Sequence, residues 1–128
     1  MIDPLKTILV VEDDPDVREV ALAVLEGAGY RVVEATSGDE AYQLLLAHPE
    51  MQIDLMFTDI VMPGRLDGID LANAACALRP HLQVLYATGF ANLVRANRDA
   101  DLQGPVLRKP YRPGDLRRAI AALLDQVN

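Results

Sequence analysis

The sequence is poor in the features that anchor a protein in a membrane or cross-link it outside the cell. It contains one cysteine, Cys76, which excludes an internal disulfide and a zinc site of the cysteine type. No apolar run approaches the roughly 20 residues that a membrane-spanning helix needs, and the N-terminus has no basic segment before a hydrophobic one. We therefore expect a cytoplasmic protein that does not insert into a membrane.

Positive charge is also scarce. The chain carries 12 lysines and arginines against 19 aspartates and glutamates, for a formal net charge of −7 and an isoelectric point near 4.6. Proteins that bind nucleic acid directly usually present a basic face, so this balance argues against such a partner. Hydrophobic residues make up 51% of the 128 residues, enough for a buried core. The length is typical of one domain, and we predict a single domain over residues 1–128.

Segments typical of strands alternate five times with segments that have helical periodicity. The strands are predicted at 7–11 (β1), 31–35 (β2), 53–58 (β3), 83–87 (β4) and 105–109 (β5). The helices are predicted at 15–28 (α1), 38–48 (α2), 68–78 (α3), 90–103 (α4) and 113–127 (α5), and α4 has only a thin apolar stripe. The alternation predicts an α/β fold, in which a five-stranded parallel sheet is doubly wound, with helices on both faces. β2 alternates in part, so we place it near an edge of the sheet.

Two helix starts carry recognisable capping residues. Asp14 followed by Pro15 is typical of an N-cap and first helical position, which predicts the start of α1. Ser37 and Glu40 have the spacing of a capping box, in which each side chain bonds to the backbone N–H of the other residue. We therefore expect α2 to begin directly after Ser37.

Charged and hydroxyl residues follow four of the five predicted strands. Glu12 and Asp13 come after β1, Asp59 after β3, Thr88 after β4, and Lys109 ends β5, whereas β2 contributes nothing charged. Since the carboxyl ends of parallel strands share one edge, we expect these five residues to meet there. Taken singly, each has a simpler interpretation as a cap, a turn residue or a solvated lysine. Compatible groups at four strand ends favour a functional site.

The chemistry of this set points to phosphoryl transfer. Clustered carboxylates repel one another unless a cation joins them, and hard oxygen ligands suit Mg²⁺. Asp59 and Asp13 would form such a site, with Glu12 acting through water. Lys109 would pair with an anion on Asp59, and the Thr88 hydroxyl would donate a hydrogen bond to it. Because carboxylates are nucleophiles toward phosphorus, Asp59 is the candidate acceptor.

Across essentially its whole length, the chain resembles the receiver domains of two-component response regulators, the CheY-like family with a flavodoxin-like fold. The resemblance is carried by the strand 8–11 with the acids 12–14, by Asp59 with 62–64 and 67–68, by 87–89, and by 109–110. It implies that Asp59 accepts a phosphoryl group from a histidine kinase or histidine phosphotransferase, which switches the α4–β5–α5 surface. It also implies Mg²⁺ held by Asp13, by the more remote Glu12, by Asp59 and by the backbone carbonyl of Val61.

The same resemblance assigns Thr88 and Lys109 as the residues that contact the phosphoryl group, and it implies a cis bond between Lys109 and Pro110. One position departs from the family pattern. Many receivers carry a Tyr or Phe three residues before the lysine, where this chain has Val106. An aromatic rotamer switch is therefore excluded at this position. The loop from Pro63 to Asp67 resembles those of stand-alone receivers and of receivers attached to hybrid sensor kinases.

Two other functions are compatible with an α/β fold of this kind. An aspartyl-nucleophile phosphatase would use similar chemistry, but it places a second Asp two residues after the nucleophile, where this chain has Val61. A flavodoxin-like nucleotide or flavin module would need a Gly-rich phosphate loop after β1, where three acids stand instead. We favour a receiver that catalyses only its own phosphorylation and dephosphorylation. Leu93, Val94 and the outer face of α5 would support a homodimer or an output contact.

Overall fold

The computed structural model describes residues 5–89 and 102–125 of the chain. The strands are β1 Thr7–Val11, β2 Arg31–Ala35, β3 Leu55–Asp59, β4 Gln83–Thr88 and β5 Val106–Arg108. The helices within the described ranges are α1 Pro15–Gly27, α2 Gly38–Ala47, α3 Gly68–Leu78 and α5 Pro113–Asp125. Most of the predicted α4 falls on residues 90–101, so α4 lies outside the described residues, together with Leu93 and Val94.

The five strands form one parallel sheet in the order β2-β1-β3-β4-β5. The chain runs outward from β1 to β2 and then returns to the other side of β1 for the remaining strands. Parallel sheets with this order have their ligand crevice at the carboxyl ends, where the strand order reverses between β1 and β3. The predicted sheet is confirmed, and so is the placement of β2 at an edge.

Helices cover both faces of the sheet, as the doubly wound prediction requires. On one face, α2 and α3 pack on the sheet through Ala41, Leu45, Ile69, Leu71, Ala72 and Ala75. On the other face, α1 and α5 do so through Ala21, Leu25, Leu116, Ile120, Leu123 and Leu124. Every residue of β3 is buried, because this central strand is covered on both faces. Asp59 is the last residue of β3, so it lies at the carboxyl end of this buried strand.

Side-chain caps begin the helices near the carboxyl edge. The Asp14 carboxylate accepts from the N–H groups of Asp16 and Val17 at 2.9 and 3.3 Å, as predicted for the N-cap of α1. The Ser37 hydroxyl accepts from the Glu40 N–H at 3.0 Å, which is the first half of the predicted capping box. The second half is wrong. The Glu40 carboxylate bonds the N–H and hydroxyl of Thr36 instead, at 3.1 and 3.0 Å.

The boundaries of three strands differ from the sequence prediction. β3 begins at Leu55 rather than 53 and includes Asp59, because the latter pairs in register with Ala87. β4 likewise extends to Thr88, and β5 is shorter at both ends. Among the described residues, no helix is both long and apolar enough to cross a membrane.

Candidate functional site

Side chains from three strand ends meet in one ion-paired cluster at the carboxyl edge of the sheet. The ammonium of Lys109 lies 2.7 Å from Oε1 of Glu12 and 3.0 Å from Oδ2 of Asp59. These partners are 97 and 50 residues away from the lysine along the chain. Lys109 follows β5 directly, and its peptide bond to Pro110 is cis, as the resemblance implies. The structure thus brings together three of the predicted site residues through direct contacts.

The two carboxylates are almost enclosed, since Glu12 is 6% exposed and Asp59 8% exposed. Burial raises the pKa of the Glu12 carboxyl above its ordinary value of 4.5, and the negative charge of Asp59 adds to this effect. The hydrogen bonds from Lys109 and from the Asp14 N–H oppose it. Burial lowers the pKa of Lys109, but its bonds to Glu12 and Asp59 outweigh burial and raise that pKa above 10.5. The lysine therefore stays charged at neutral pH and holds two carboxylates against their mutual repulsion.

Asp13 completes an acidic cluster beside the ion pairs. One carboxylate oxygen from each of Glu12, Asp13 and Asp59 lies within 4.8 Å of the other two. Asp13 is exposed, so the cluster opens to solvent on its side. Hard oxygen donors around a partly hydrated position are the ligands that Mg²⁺ prefers in proteins. The donor set therefore fits this ion, whereas Asp14 is engaged in capping α1.

Thr88 lies on the strand next to Asp59 and is fully buried. Its hydroxyl donates to the carbonyl of Gly89 at 3.4 Å. Ala87 pairs in register with Asp59, so Thr88 extends one residue beyond the acid. The backbone carbonyl of Thr88 accepts a hydrogen bond from the N–H of Lys109 at 2.9 Å. A backbone hydrogen bond thus links Thr88 and Lys109, two of the site residues predicted from the sequence.

The loop between β3 and α3 packs closely against the acid. A Cβ atom at Gly68 would lie 2.0 Å from the carbonyl oxygen of Asp59, so only glycine fits there. Gly64 has a φ of 110°, and the Asp39 carboxylate of α2 accepts from the two N–H groups that follow it, both at 3.2 Å. Val61 is the second residue of this loop, and its side chain is exposed. The role of its carbonyl as a metal ligand stays a prediction.

Comparison with known proteins identifies this arrangement. The sequence model of the response regulator receiver domain matches residues 8–121. The chain belongs to the receiver domain family. Receiver domains are phospho-accepting switches in two-component signalling; they interact with histidine kinases or phosphotransfer partners, and they bind Mg²⁺ at an acidic pocket.

Individual relatives agree with this assignment. The receiver is 40% identical to the response regulator receiver protein CpdR of Brucella abortus, over 94% of this chain and 98% of CpdR. It is 31% identical to a part of the sensor kinase CckA of the same organism, over 94% of this chain and 13% of CckA. A solved receiver domain protein from Clostridium thermocellum superposes with a TM-score of 0.84 at 29% identity, over 95% of this chain and 96% of that one. These likenesses support the receiver fold and function.

This receiver carries its aromatic side chain after the lysine rather than before it. Val106 is half-buried and packs on the α2–α3 side of the sheet. Tyr111, two residues after Lys109, packs on the α1–α5 side, where its ring and that of Phe57 form a T-shaped contact with a centroid distance of 5.8 Å and an interplanar angle of 70°. Burial raises the pKa of the Tyr111 phenol. The two positions therefore lie on opposite faces, and Tyr111 does not replace the missing ring.

Sequence reasoning missed one contact of the acidic loop. The guanidinium of Arg18 donates to the Glu12 carbonyl at 2.8 Å and to the Glu34 carboxylate at 3.2 Å. Glu34, at the penultimate position of β2, is thus linked to the acidic loop through Arg18, a contact that the sequence prediction did not include. A basic residue one turn into α1, soon after an acidic loop, is the signal from which this contact could have been predicted.

Proposed function

We propose that Asp59 accepts a phosphoryl group from the phosphohistidine of a partner protein. The observation that carries this proposal is the ammonium of Lys109, which lies 3.0 Å from Asp59 and 2.7 Å from Glu12. A fixed cation beside an almost enclosed carboxylate stands where a phosphoryl group on Asp59 would bring new negative charge. In phosphoryl transfer a protein contributes mainly by positioning groups and by stabilising charge, and this cluster supplies both.

The transfer uses groups that are already in place. A carboxylate oxygen of Asp59 attacks phosphorus, an O–P bond forms as the P–N bond to histidine breaks, and the electron pair of that bond stays on the imidazole nitrogen. Lys109 then turns from the carboxylate to the phosphoryl oxygens. The Thr88 hydroxyl leaves the Gly89 carbonyl and donates to the phosphoryl group. Attack by water later releases phosphate and restores the Asp59 carboxylate.

The acidic cluster would hold Mg²⁺ for this reaction. Three carboxylates beside one ammonium leave an excess of negative charge, which a divalent cation would offset. We assign Asp13, Asp59 and the backbone carbonyl of Val61 as its direct ligands and Glu12 as the more remote one, by analogy with the family. Bound there, the ion supplies charge neutralisation at the phosphoryl oxygens.

Phosphorylation would be read at the surface formed by β5, α5 and the predicted α4. Thr88 and Lys109 share a backbone hydrogen bond of 2.9 Å, so a movement of either residue shifts the edge between β4 and β5. Because Val106 has no ring to rotate, we infer that the Thr88 hydroxyl alone biases the two states of this surface. This mode distinguishes the chain from receivers that carry an aromatic residue at the position of Val106.

Labelling of a variant tests the acceptor directly. With Mg²⁺ and either acetyl phosphate or a phosphorylated phosphotransfer protein, the wild type should gain the mass of one phosphoryl group, and Asp59→Asn should gain none. Asp115→Asn is a matched control, because this half-exposed acid lies at the start of α5 and contacts Arg112 and Arg118 rather than the site. Labelling of Asp59→Asn at the wild-type level would contradict the assignment.

The proposed partner is a histidine kinase or histidine phosphotransferase that docks on α1. An open groove of about 470 Å³ adjoins the site and is lined by Asp16, Val17 and Val20 of α1 with Lys109, Pro110 and Tyr111. Val20 is 55% exposed, which gives a protein donor apolar surface to bury beside Asp59. A small donor such as acetyl phosphate does not need this surface.

A comparison of a protein phosphoryl donor with acetyl phosphate distinguishes a defect in docking from a defect in phosphoryl transfer. Val20→Asp should slow transfer from the phosphorylated protein donor about tenfold or more, while labelling by acetyl phosphate stays at the wild-type rate. Leu46→Asp is the control, since Leu46 is an equally apolar exposed residue on α2. Equal losses with both donors, or an equal loss in the control, would contradict docking on α1.

An aspartyl-nucleophile phosphatase is the alternative function, and membership of the receiver family does not favour it. Such an enzyme needs a general acid two residues after its nucleophile, and Val61 has none to offer. We propose that the chain catalyses only its own phosphorylation and dephosphorylation. In a multiple-turnover assay on a phosphate monoester, product should stay at the level of Asp59→Asn.

The organisation of the protein is part of the same proposal. We propose one receiver domain over residues 1–128 that works in the cytoplasm without contacting nucleic acid. Similarity along 98% of CpdR fits a single-domain regulator, and similarity to 13% of the sensor kinase CckA fits a receiver attached to a kinase.

A further inference from the structure

Arg18 is anchored between two strand ends of the sheet. It lies on α1, one turn after the acidic loop, and its side chain is only 15% exposed. One arm of the guanidinium, Nη1, donates to the carbonyl oxygen of Glu12 at 2.8 Å. The Nε atom donates to Oε1 of Glu34, on the neighbouring β2, at 3.2 Å. The planar guanidinium therefore has its direction set at two points.

The carbonyl that Arg18 holds belongs to the peptide group joining Glu12 to Asp13. The N–H of Glu12 is bonded to the Ala35 carbonyl at 3.2 Å, and its carboxylate accepts from the Asp14 N–H, also at 3.2 Å. With the Arg18 bond, the backbone at Glu12 is restrained on both sides. The plane of this peptide sets the direction in which the Asp13 side chain leaves the backbone.

We propose that Arg18 is a positioning residue that pre-orients Glu12 and Asp13 for the divalent cation, an inference that rests on the proposed function. Two effects of the arginine oppose each other. Its positive charge repels a cation, whereas its hydrogen bond removes the need to order the acidic loop when the cation binds. Because Glu34 pairs with the guanidinium and offsets its charge, the positioning effect is the larger one.

The sign of the change in Mg²⁺ affinity separates the two effects. If Arg18 acted only through charge, Arg18→Met would bind Mg²⁺ more tightly. If Arg18 acts by positioning, Arg18→Met should instead raise the dissociation constant for Mg²⁺ about tenfold, since loss of a residue that orients metal ligands typically costs 10–100-fold in affinity. A role confined to global stability would change the unfolding midpoint and leave the dissociation constant unaltered.

The measurement is an NMR titration of the uniformly labelled protein with Mg²⁺ alone, following the amide signals of Glu12 and Asp13. Arg31→Met is the control, because Arg31 is an exposed arginine at the opposite end of β2 and its loss changes the net charge equally. Arg18→Lys keeps the charge and one donor, so it should recover part of the affinity that Arg18→Met loses. It also serves as the test variant if Arg18→Met does not fold.

The outcomes are distinct. Weaker Mg²⁺ binding by the Arg18 variants than by Arg31→Met supports the proposal. Affinity equal to or tighter than that of Arg31→Met, in a folded Arg18 variant, overturns it. Absence of saturable Mg²⁺ binding by the wild type would instead refute the proposed metal site, before Arg18 is in question.

Discussion

Replacing Lys109 by methionine tests whether the lysine holds the two enclosed carboxylates together. Methionine approximates the length of the side chain but removes the ammonium that lies 2.7 Å from Glu12 and 3.0 Å from Asp59. Without Mg²⁺, the Lys109→Met variant leaves two nearly buried acids facing each other with no cation between them. The free energy of unfolding should therefore fall.

Protonation of Glu12 sets the scale of this loss. Once Glu12 takes up a proton the repulsion ends, and protonating a glutamate of ordinary pKa 4.5 at pH 7 costs about 3.4 kcal/mol, at about 1.36 kcal/mol per pH unit. Because burial already raises the pKa of Glu12, the cost is smaller than this value, and we expect a loss of up to about 3 kcal/mol at pH 7. At pH 5, by the same reasoning, Lys109→Met should lose less than about 0.7 kcal/mol of its free energy of unfolding.

The direction of the pH dependence follows from the raised pKa. An acid whose pKa is higher in the folded than in the unfolded state favours folding at low pH, and this contribution is lost as the pH rises through the folded-state pKa. Lys109 lowers the pKa of Glu12, so its removal raises that pKa further. The stability of Lys109→Met should therefore fall more steeply with rising pH than that of the wild type.

Urea unfolding followed by far-UV circular dichroism, at pH 5 and pH 7 without Mg²⁺, measures both quantities. Lys6→Met is the matched control, because it removes the other lysine of the chain, which is exposed, and it should change stability by less than about 0.5 kcal/mol. Added Mg²⁺ should restore part of the stability lost in Lys109→Met. An unchanged stability at pH 7, or the same loss at both pH values, would refute the reasoning.

Three further predictions concern the surroundings of the site. Gly68→Ala places a Cβ atom 2.0 Å from the Asp59 carbonyl, so it should cost about 1–3 kcal/mol in urea unfolding and slow labelling by acetyl phosphate; wild-type values for both would contradict the close packing. Tyr86→Phe removes the buried hydroxyl that accepts from the Gln103 N–H at 3.0 Å, and it should lower the free energy of unfolding by about 1 kcal/mol. Burial raises the pKa of the Cys76 thiol above 9.0, so iodoacetamide at pH 8 should modify the folded protein more slowly than the urea-unfolded chain; equal rates would contradict this.

The elements of the fold were largely predictable because their apolar patterns are local. All five strands and the four described helices occur where periodicity places them, and capping by Asp14 was predictable from its position before Pro15. The ends of β3 were not, because the ladder that includes Asp59 depends on a partner in β4. The bonds from Thr36 to the Glu40 carboxylate were likewise not predictable, because they depend on the path of the chain before α2.

The site was predictable at the level of which residues meet. A parallel sheet gathers strand ends at one edge, so Glu12, Asp59 and Lys109 were expected there from their order alone. Their pairing through one ammonium was not, nor was the bond of the Thr88 hydroxyl to Gly89. Such contacts depend on side-chain conformations set by several elements together. The contacts of Arg18 were not predicted for the same reason, since one partner belongs to β2 and the other follows β1.

The most direct test of the account is a crystal structure grown with Mg²⁺ and beryllofluoride, which mimics a phosphoryl group. We expect beryllofluoride on the Asp59 carboxylate, Lys109 and the Thr88 hydroxyl in contact with its fluorine atoms, and Mg²⁺ beside Asp13. An Asp59 that remains unmodified, with Lys109 still bridging Glu12 and Asp59 and no ion in the acidic cluster, would contradict it.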